Sequence, residues 1–320
     1  MPLLIILVVL VILYTIIGIL VHKFIFGKRF TLNPNTKTYT AEGLGLNKKE
    51  ISFDVDGKQI NGYIYKKDDY YRKDTLIIVC HGMWSTHLSY MQDIGYLCSE
   101  GYEVLSFDYT GTDISEGENL VGFGQSAKCL DKAIDYVQSL ENYKERKIYV
   151  YGHSWGGYAV TNIVKFKPQI KGIIALAPAI SLGGVLKGLL PKLLWPAIPV
   201  ILLIDKIKTG KYGCLSAKRS LKEYKGKVFI LHSVNDSMCK YKYTTEVLKK
   251  KYPNIDFYIT NGKNHNPNYS ISAISLMNEY FANLRKIPKE QLEDYMKNVD
   301  FLEMGELDEE VMSEIIKELE

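Results

Sequence analysis

Residues 147–157 read KIYVYGHSWGG, from Lys147 to Gly157, and this stretch decides the fold. Lys147 to Tyr151 form a β-branched and aromatic run of strand type. Residues 155–166 carry a helical pattern, so Gly152-His153-Ser154-Trp155-Gly156 is a G-x-S-x-G turn set between a strand and a helix. A serine on so sharp a turn is held out at the carboxyl edge of a sheet, and glycines on either side let strand and helix close around it. The surrounding elements give the motif weight that it would lack in a loop.

Working outward, short β-branched runs alternate with helical patterns from residue 50 on, the mark of a mainly parallel sheet with helices on its faces. ISFDV (51–55) and INGYIY (60–65) flank Asp56-Gly57, a hairpin signal. TLIIVC (75–80), EVLSF (103–107), KIYVY (147–151), IKGIIAL (170–176), KVFIL (227–231) and IDFYI (255–259) follow as strands, with helical patterns near 88–100, 122–140, 155–166, 241–251 and 270–285. Residues 178–226 break the alternation. They hold four prolines and the apolar stretch LLPKLLWPAIPVILLI, too long for a crossover helix. They read as an inserted cap whose apolar residues face the body, a lipid or a ligand, or else pack on one another.

A serine hydroxyl becomes a nucleophile only when a base takes its proton, so a histidine and an orienting carboxylate are required. Six histidines exist. His22 abuts the N-terminal apolar segment, His153 is inside the turn, and His81 and His87 lie near the first central strand. His265, in NGKNHN after the last strand, is placed to reach Ser154, whereas His232 ends the preceding strand as a wall residue. Asp236 in HSVNDSM again follows a strand at its carboxyl edge. It is preferred to Asp205 in the cap and to Asp256, which begins a strand at the other edge. The order Ser154, Asp236, His265 is one that strand-turn-helix nucleophiles use. The oxyanion formed on attack needs fixed donors. Trp155 N–H supplies one, and Met83 N–H, in the turn His81-Gly82-Met83-Trp84, the other, with Trp84 second.

With HGMW (81–84), DYTGTDISEG (108–117), GHSWGG (152–157), VNDS (234–237) and GKNH (262–265) in place, residues 50–285 resemble the α/β-hydrolase fold, in particular its capped group of monoglyceride lipases and serine aminopeptidase-like enzymes. The resemblance implies a serine hydrolase working through an acyl-enzyme intermediate without a cofactor, and no metal ligand set is expected. The sequence departs from the group at Asp113, where related proteins usually carry glycine. That departure bears on loop shape and substrate fit. Trp84, Trp155 and Trp195 are candidates for an acyl pocket, with Trp84 and Trp195 taken as substrate-binding positions, although large aromatics are more often core.

Composition completes the outline. The 320 residues are 47% hydrophobic and 24% charged, as in a globular protein with a sizeable core. Residues 2–21 contain no charged side chain, and at about 1.5 Å per residue they match the ~30 Å apolar thickness of a bilayer. They lack the basic start and small-residue cleavage site of a signal peptide. Lys23, Lys28 and Arg29 follow, which by the positive-inside rule puts the remaining chain in the cytoplasm. Five cysteines in no paired or metal-like spacing suit reduced thiols. Residues 286–320 carry 12 acidic and 4 basic side chains, so the mild overall charge of +4 hides an acidic tail on a basic body. Apolar residues recur in the tail at helical spacing, as in amphipathic helices docking on the body or on a protein partner. The lysines and arginines are scattered, and no nucleic-acid partner is expected.

The sequence thus divides into an anchor (1–22), a juxtamembrane stalk (23–49), an α/β-hydrolase domain (50–285, cap 178–226) and an acidic tail (286–320). The reading is a single-pass membrane protein with a serine hydrolase domain that cleaves a lipid-like or small-molecule ester of an apolar acyl group. Two alternatives stand beside it: a peptidase of short N-terminal peptides, which needs an acidic cap residue for the substrate amine and has only Asp205 to offer, and a catalytically silent membrane scaffold.

Overall fold

The computed structural model describes residues 2–68 and 74–320. Among the described residues there are eight strands, β1 Asn47–Val55, β2 Lys58–Lys66, β3 Thr75–Cys80, β4 Glu103–Phe107, β5 Lys147–His153, β6 Gly172–Leu176, β7 Lys227–Ser233 and β8 Asp256–Thr260. They form one sheet in the order β1-β2-β4-β3-β5-β6-β7-β8. β2 pairs antiparallel with both β1 and β4, and all later pairs are parallel. The β1–β2 turn is Asp56-Gly57, both at positive φ (56° and 73°), the backbone that a two-residue hairpin needs.

Alternation along β3 sorts the core into two layers. Leu76, Ile78 and Cys80 face one side with Ile134, Val150 and Val160, while Ile77 and Val79 face the other with Ile94, Tyr151 and Leu231. Both faces are covered, so the central strands are apolar without alternation in polarity. The helices Met91–Ser99, Gln125–Ser139, Trp155–Ile163, Thr245–Lys251 and Ile271–Leu284 occupy the intervals that the sequence pattern assigns to helix.

The acidic C-terminal segment ends in the helix Glu309–Leu319, whose Val311, Met312, Ile315, Ile316 and Leu319 are buried in the second core layer with Phe229 and Leu231. Its apolar stripe faces the sheet and its glutamates face out, as amphipathic spacing requires.

Residues 178–226, expected above to be an inserted cap, lie between β6 and β7 and hold the helices Leu182–Leu189, Ile198–Thr209 and Ala217–Ser220 and the 3-10 turn Lys192–Ala197. Leu182, Leu186, Ile198 and Ile201 join the first core layer. Leu189, Leu193, Leu203 and Ile207 stay exposed. The cap therefore divides its apolar residues between the body and the outside.

The N-terminal helix Pro2–Phe26 is long and apolar enough to cross a membrane. Its last turns are not free. Gly18, His22 and Phe26 are buried, and Phe26 packs on Phe123 in the first core layer. Arg29 then donates to the carbonyls of Ser115 and Gly117, both at 2.8 Å, and of Asp113, so the chain leaving the helix is held against the 111–117 loop.

Candidate active site

Register sets the site. In the parallel pairs, Cys80 is level with Gly152 and Leu176 with His153, so the turns after β3, β5 and β6 open at the same edge of the sheet. Ser154 follows β5 directly, at φ 56° and ψ −109°, and begins the helix Trp155–Ile163. A non-glycine residue in this region is strained and needs surroundings that enforce it. They are enforced by two close approaches. A Cβ at Gly152 would lie 2.4 Å from the Gly156 carbonyl oxygen, and one at Gly156 would lie 2.0 Å from that of Cys80. The G-x-S-x-G spacing is thus a packing requirement as well as a chemical one.

His265 Nε2 is 2.8 Å from Ser154 Oγ, and His265 Nδ1 is 2.8 Å from Asp236 Oδ2. The carboxylate can only accept, so Nδ1 carries the hydrogen and Nε2 is free to take the serine proton. Asp236 follows β7 and His265 follows β8, and the two loops are stitched together by amides. Asn235 Oδ1 accepts from Gly262 N–H at 3.0 Å, and Asn264 Oδ1 accepts from Ser237 N–H at 3.0 Å. Asparagines inside VNDS and GKNH thereby fix the distance between acid and base.

Asp236 is buried and receives more than His265. Its Oδ1 accepts from Met238 N–H and Cys239 N–H at 2.7 and 2.8 Å, and its Oδ2 also accepts from His232 Nε2–H at 3.0 Å. Burial pushes the carboxyl toward the neutral form, but the bonds from His232 and His265 outweigh it and hold Asp236 well below the usual carboxylate range. Asp236 stays ionised beneath the base. The two competing carboxylates are elsewhere. Asp205 is buried and accepts from Phe123 N–H at 2.5 Å and Gly124 N–H at 3.3 Å. Asp256 lies in a surface depression with Leu221, Tyr224 and Tyr252 at the opposite end of the strands.

The turn after β3 lies against the nucleophile, since a Cβ at Gly82 would sit 3.5 Å from Ser154 Cβ. Gly82 N–H is committed to Tyr90 Oη at 2.9 Å, which leaves Met83 as the next amide of the turn. Trp155 is the first residue of its helix and has no carbonyl one turn back to take its N–H. Trp84 is half-exposed at positive φ beside Met83. Trp155's indole is buried, donates to Phe123 O at 2.6 Å and packs edge-on to Tyr109, so it is core and not pocket wall. Trp195 lies within the cap, donating to Leu190 O and facing Tyr243.

Sequence reasoning passed over one link. His153 Nε2–H donates to the His265 carbonyl at 2.7 Å, so its Nδ1 must accept, and Tyr90 O–H donates to it at 2.7 Å. Burial, with His265 nearby, lowers the His153 pKa to about 3 and keeps it neutral. A continuous path therefore joins the Gly82 amide, Tyr90, His153 and the backbone of His265. Its only sequence signal was a histidine inside the elbow.

Residues 71–211 match the family model Hydrolase_4, described as serine aminopeptidase S33. No curated protein matches the sequence. Among solved structures, the esterase PF2001 of Pyrococcus furiosus is similar with a TM-score of 0.57 and 19% identity, over 81% of this chain and 96% of that one. Est1E of Butyrivibrio proteoclasticus, solved with ferulic acid bound, is similar with a TM-score of 0.56 and 20% identity, over 74% and 100%. At these identities the likeness is one of fold. Sheet order, elbow and family match agree: the chain has the α/β-hydrolase fold, with residues 71–211 matching the serine aminopeptidase S33 family.

Proposed function

We propose that the protein is a serine hydrolase that cleaves a carboxylic ester of an apolar acyl group. One observation carries the reading: Ser154 Oγ, His265 Nε2 and Nδ1, and Asp236 Oδ2 follow one another at 2.8 Å per step, with the serine on a strained elbow. Ser154 Oγ attacks the carbonyl carbon while its proton passes to His265 Nε2. The N–H groups of Met83 and Trp155 hold the oxyanion, each worth on the order of 3 kcal/mol in such sites. The tetrahedral centre collapses, the alcohol leaves with the proton from His265, and Ser154 holds the acyl group. Water then attacks the acyl carbonyl with His265 taking its proton, and the second tetrahedral centre collapses to release the carboxylic acid and Ser154 Oγ, which receives the proton back from His265. No cofactor enters these steps.

The ester reading is favoured over an aminopeptidase by Asp205. It is the only acid between residues 178 and 222, and its carboxylate is buried on the Phe123 and Gly124 amides instead of facing a substrate amine. The family description supports the peptidase as second reading. In this account helix 2–26 anchors the chain in a membrane, with Lys23, Lys28 and Arg29 on the cytoplasmic side. Trp84 and Trp195 are kept as candidate substrate contacts.

Turnover of p-nitrophenyl esters of increasing chain length, measured beside aminoacyl amides, tests the reaction class. Esters are expected to react and Ser154→Ala to be silent. Faster turnover of the amides would overturn the ester assignment.

A further inference from the structure

The N-terminal helix and the cap touch at a level that fixes where the cap lies. Tyr14 O–H donates to the Leu193 carbonyl at 3.1 Å. A Cβ at Gly18 would be 2.8 Å from the Val200 side chain, so glycine lets Val200 of the cap helix Ile198–Thr209 seat directly on the backbone of the N-terminal helix. Both contacts fall inside the uncharged run that ends at residue 21. With about 1.5 Å of rise per residue, Tyr14 and Gly18 sit roughly 10 Å and 5 Å before the end of that run. If the cap stayed in water at the level of Tyr14, only residues 2–13 would remain for the bilayer. Twelve residues reach ~18 Å, well short of the ~30 Å hydrocarbon core.

We infer that the outer face of the cap, Leu189, Leu193, Leu203 and Ile207, is immersed in the same membrane as helix 2–26, at the depth of its headgroup and upper acyl region. This rests on the anchor reading above and extends it to a second element. Leu193 and Ile207 are 76% and 73% exposed in the protein alone, and with Leu189 and Leu203 they give this segment four exposed large apolar side chains. Ile16, Ile19, Leu20 and Phe24 are likewise exposed on the adjoining helix. The charge agrees. Lys187, Lys192, Lys206, Lys208 and Lys211 are exposed on the cap, and its only acid up to residue 222, Asp205, is buried. Four exposed apolar side chains on a segment that also exposes those five lysines, and no carboxylate before Glu223, complement an anionic lipid surface, the apolar side entering some 5–10 Å and the lysines meeting phosphates.

The test uses the full chain in phosphatidylcholine–phosphatidylglycerol vesicles carrying bromine either near the ester end or near the middle of the acyl chain. Reporters are Leu203→Trp and, separately, Val8→Trp, each with Trp84→Phe and Trp195→Phe. Ile207→Trp serves as a second cap position. A far-UV circular dichroism spectrum and a cooperative thermal melt like the parent's show that each variant is folded. The inference expects cap tryptophan emission to lose intensity most with the shallow bromines and Val8→Trp with the deep ones. Quenching at Val8→Trp with none at either cap position would overturn the cap assignment and leave the anchor standing. No quenching at any position would overturn both.

Discussion

His232 Nε2 lies 3.0 Å from Asp236 Oδ2, the same oxygen that His265 Nδ1 reaches at 2.8 Å. The Asp236 carboxylate under His265, the proposed base, is therefore shared by two histidines, and the far side of His232 is held by Thr245 Oγ1 at 2.6 Å. Removing His232 leaves the base in place but takes a donor from the acid. His232→Ala is expected to lower kcat by roughly tenfold, about 1.4 kcal/mol, with KM little changed. His265→Ala is expected to cost on the order of a thousandfold or more. Equal losses in steady-state assays would refute the assignment of His265 as the base.

The acidic tail reaches the loop that carries the base. Lys263 Nζ is 2.5 Å from Asp308 Oδ2, and Asp308 Oδ1 caps the last helix by accepting from Val311 N–H at 3.1 Å. Asp308 N–H in turn donates to Asn268 O at 2.9 Å. Lys263→Ala and Asp308→Asn are each expected to reduce kcat by up to about tenfold while KM holds, and the double variant to be no worse than either. Asp308→Ala should in addition lose about 1 kcal/mol of stability with its cap. Unchanged kcat in all of them would show that the tail braces the fold without positioning His265.

Asp205 pins the cap to the 123–124 loop. Burial raises its pKa from 3.8 to about 6. Between those values the folded chain keeps a proton that the unfolded chain has released, so this group's contribution to stability falls as pH rises through the window and stays low above it. Asp205→Asn preserves the acceptor oxygen without the charge. Thermal melts should then show a Tm above pH 7 equal to or higher than the parent's, and a shallower decline between pH 4 and 6. A large drop in Tm above pH 7 would mean that the ionised carboxylate is the stabilising form.

Asp113 has φ 34°, a left-handed backbone, at a position where the family resemblance leads one to expect glycine. Glycine adopts this conformation without a Cβ clash, a difference of about 1 kcal/mol for most residues. Asp113→Gly is expected to leave Tm unchanged or raise it slightly, and to leave esterase kcat unaltered. A marked loss of Tm would assign the aspartate side chain a bonding role.

Where local pattern and burial pointed the same way, the sequence was enough. The strands lie where β-branched runs predict them, most plainly the central ones, because strands covered on both faces must be apolar. β1 starts at Asn47, four residues ahead of the expected Ile51, since Asn47 to Glu50 are exposed and carry no apolar period. That Ser154, Asp236 and His265 would meet was legible because each lies in a turn after a strand at one edge. Their supports were not. Tyr90 and His153 meet across 63 residues, and Gly18 looks like a tolerated glycine in an apolar run until Val200 is seen against it. Contacts of that kind depend on how elements pack, and no periodicity encodes them.

The central claim is that Ser154 is the nucleophile of a working triad. Incubation of the intact protein with a fluorophosphonate, followed by intact mass and peptide mapping, tests it most directly. One adduct on Ser154 is expected, lost in Ser154→Ala and strongly slowed in His265→Ala. An unlabelled parent protein, or equal labelling of Ser154→Ala, would contradict it.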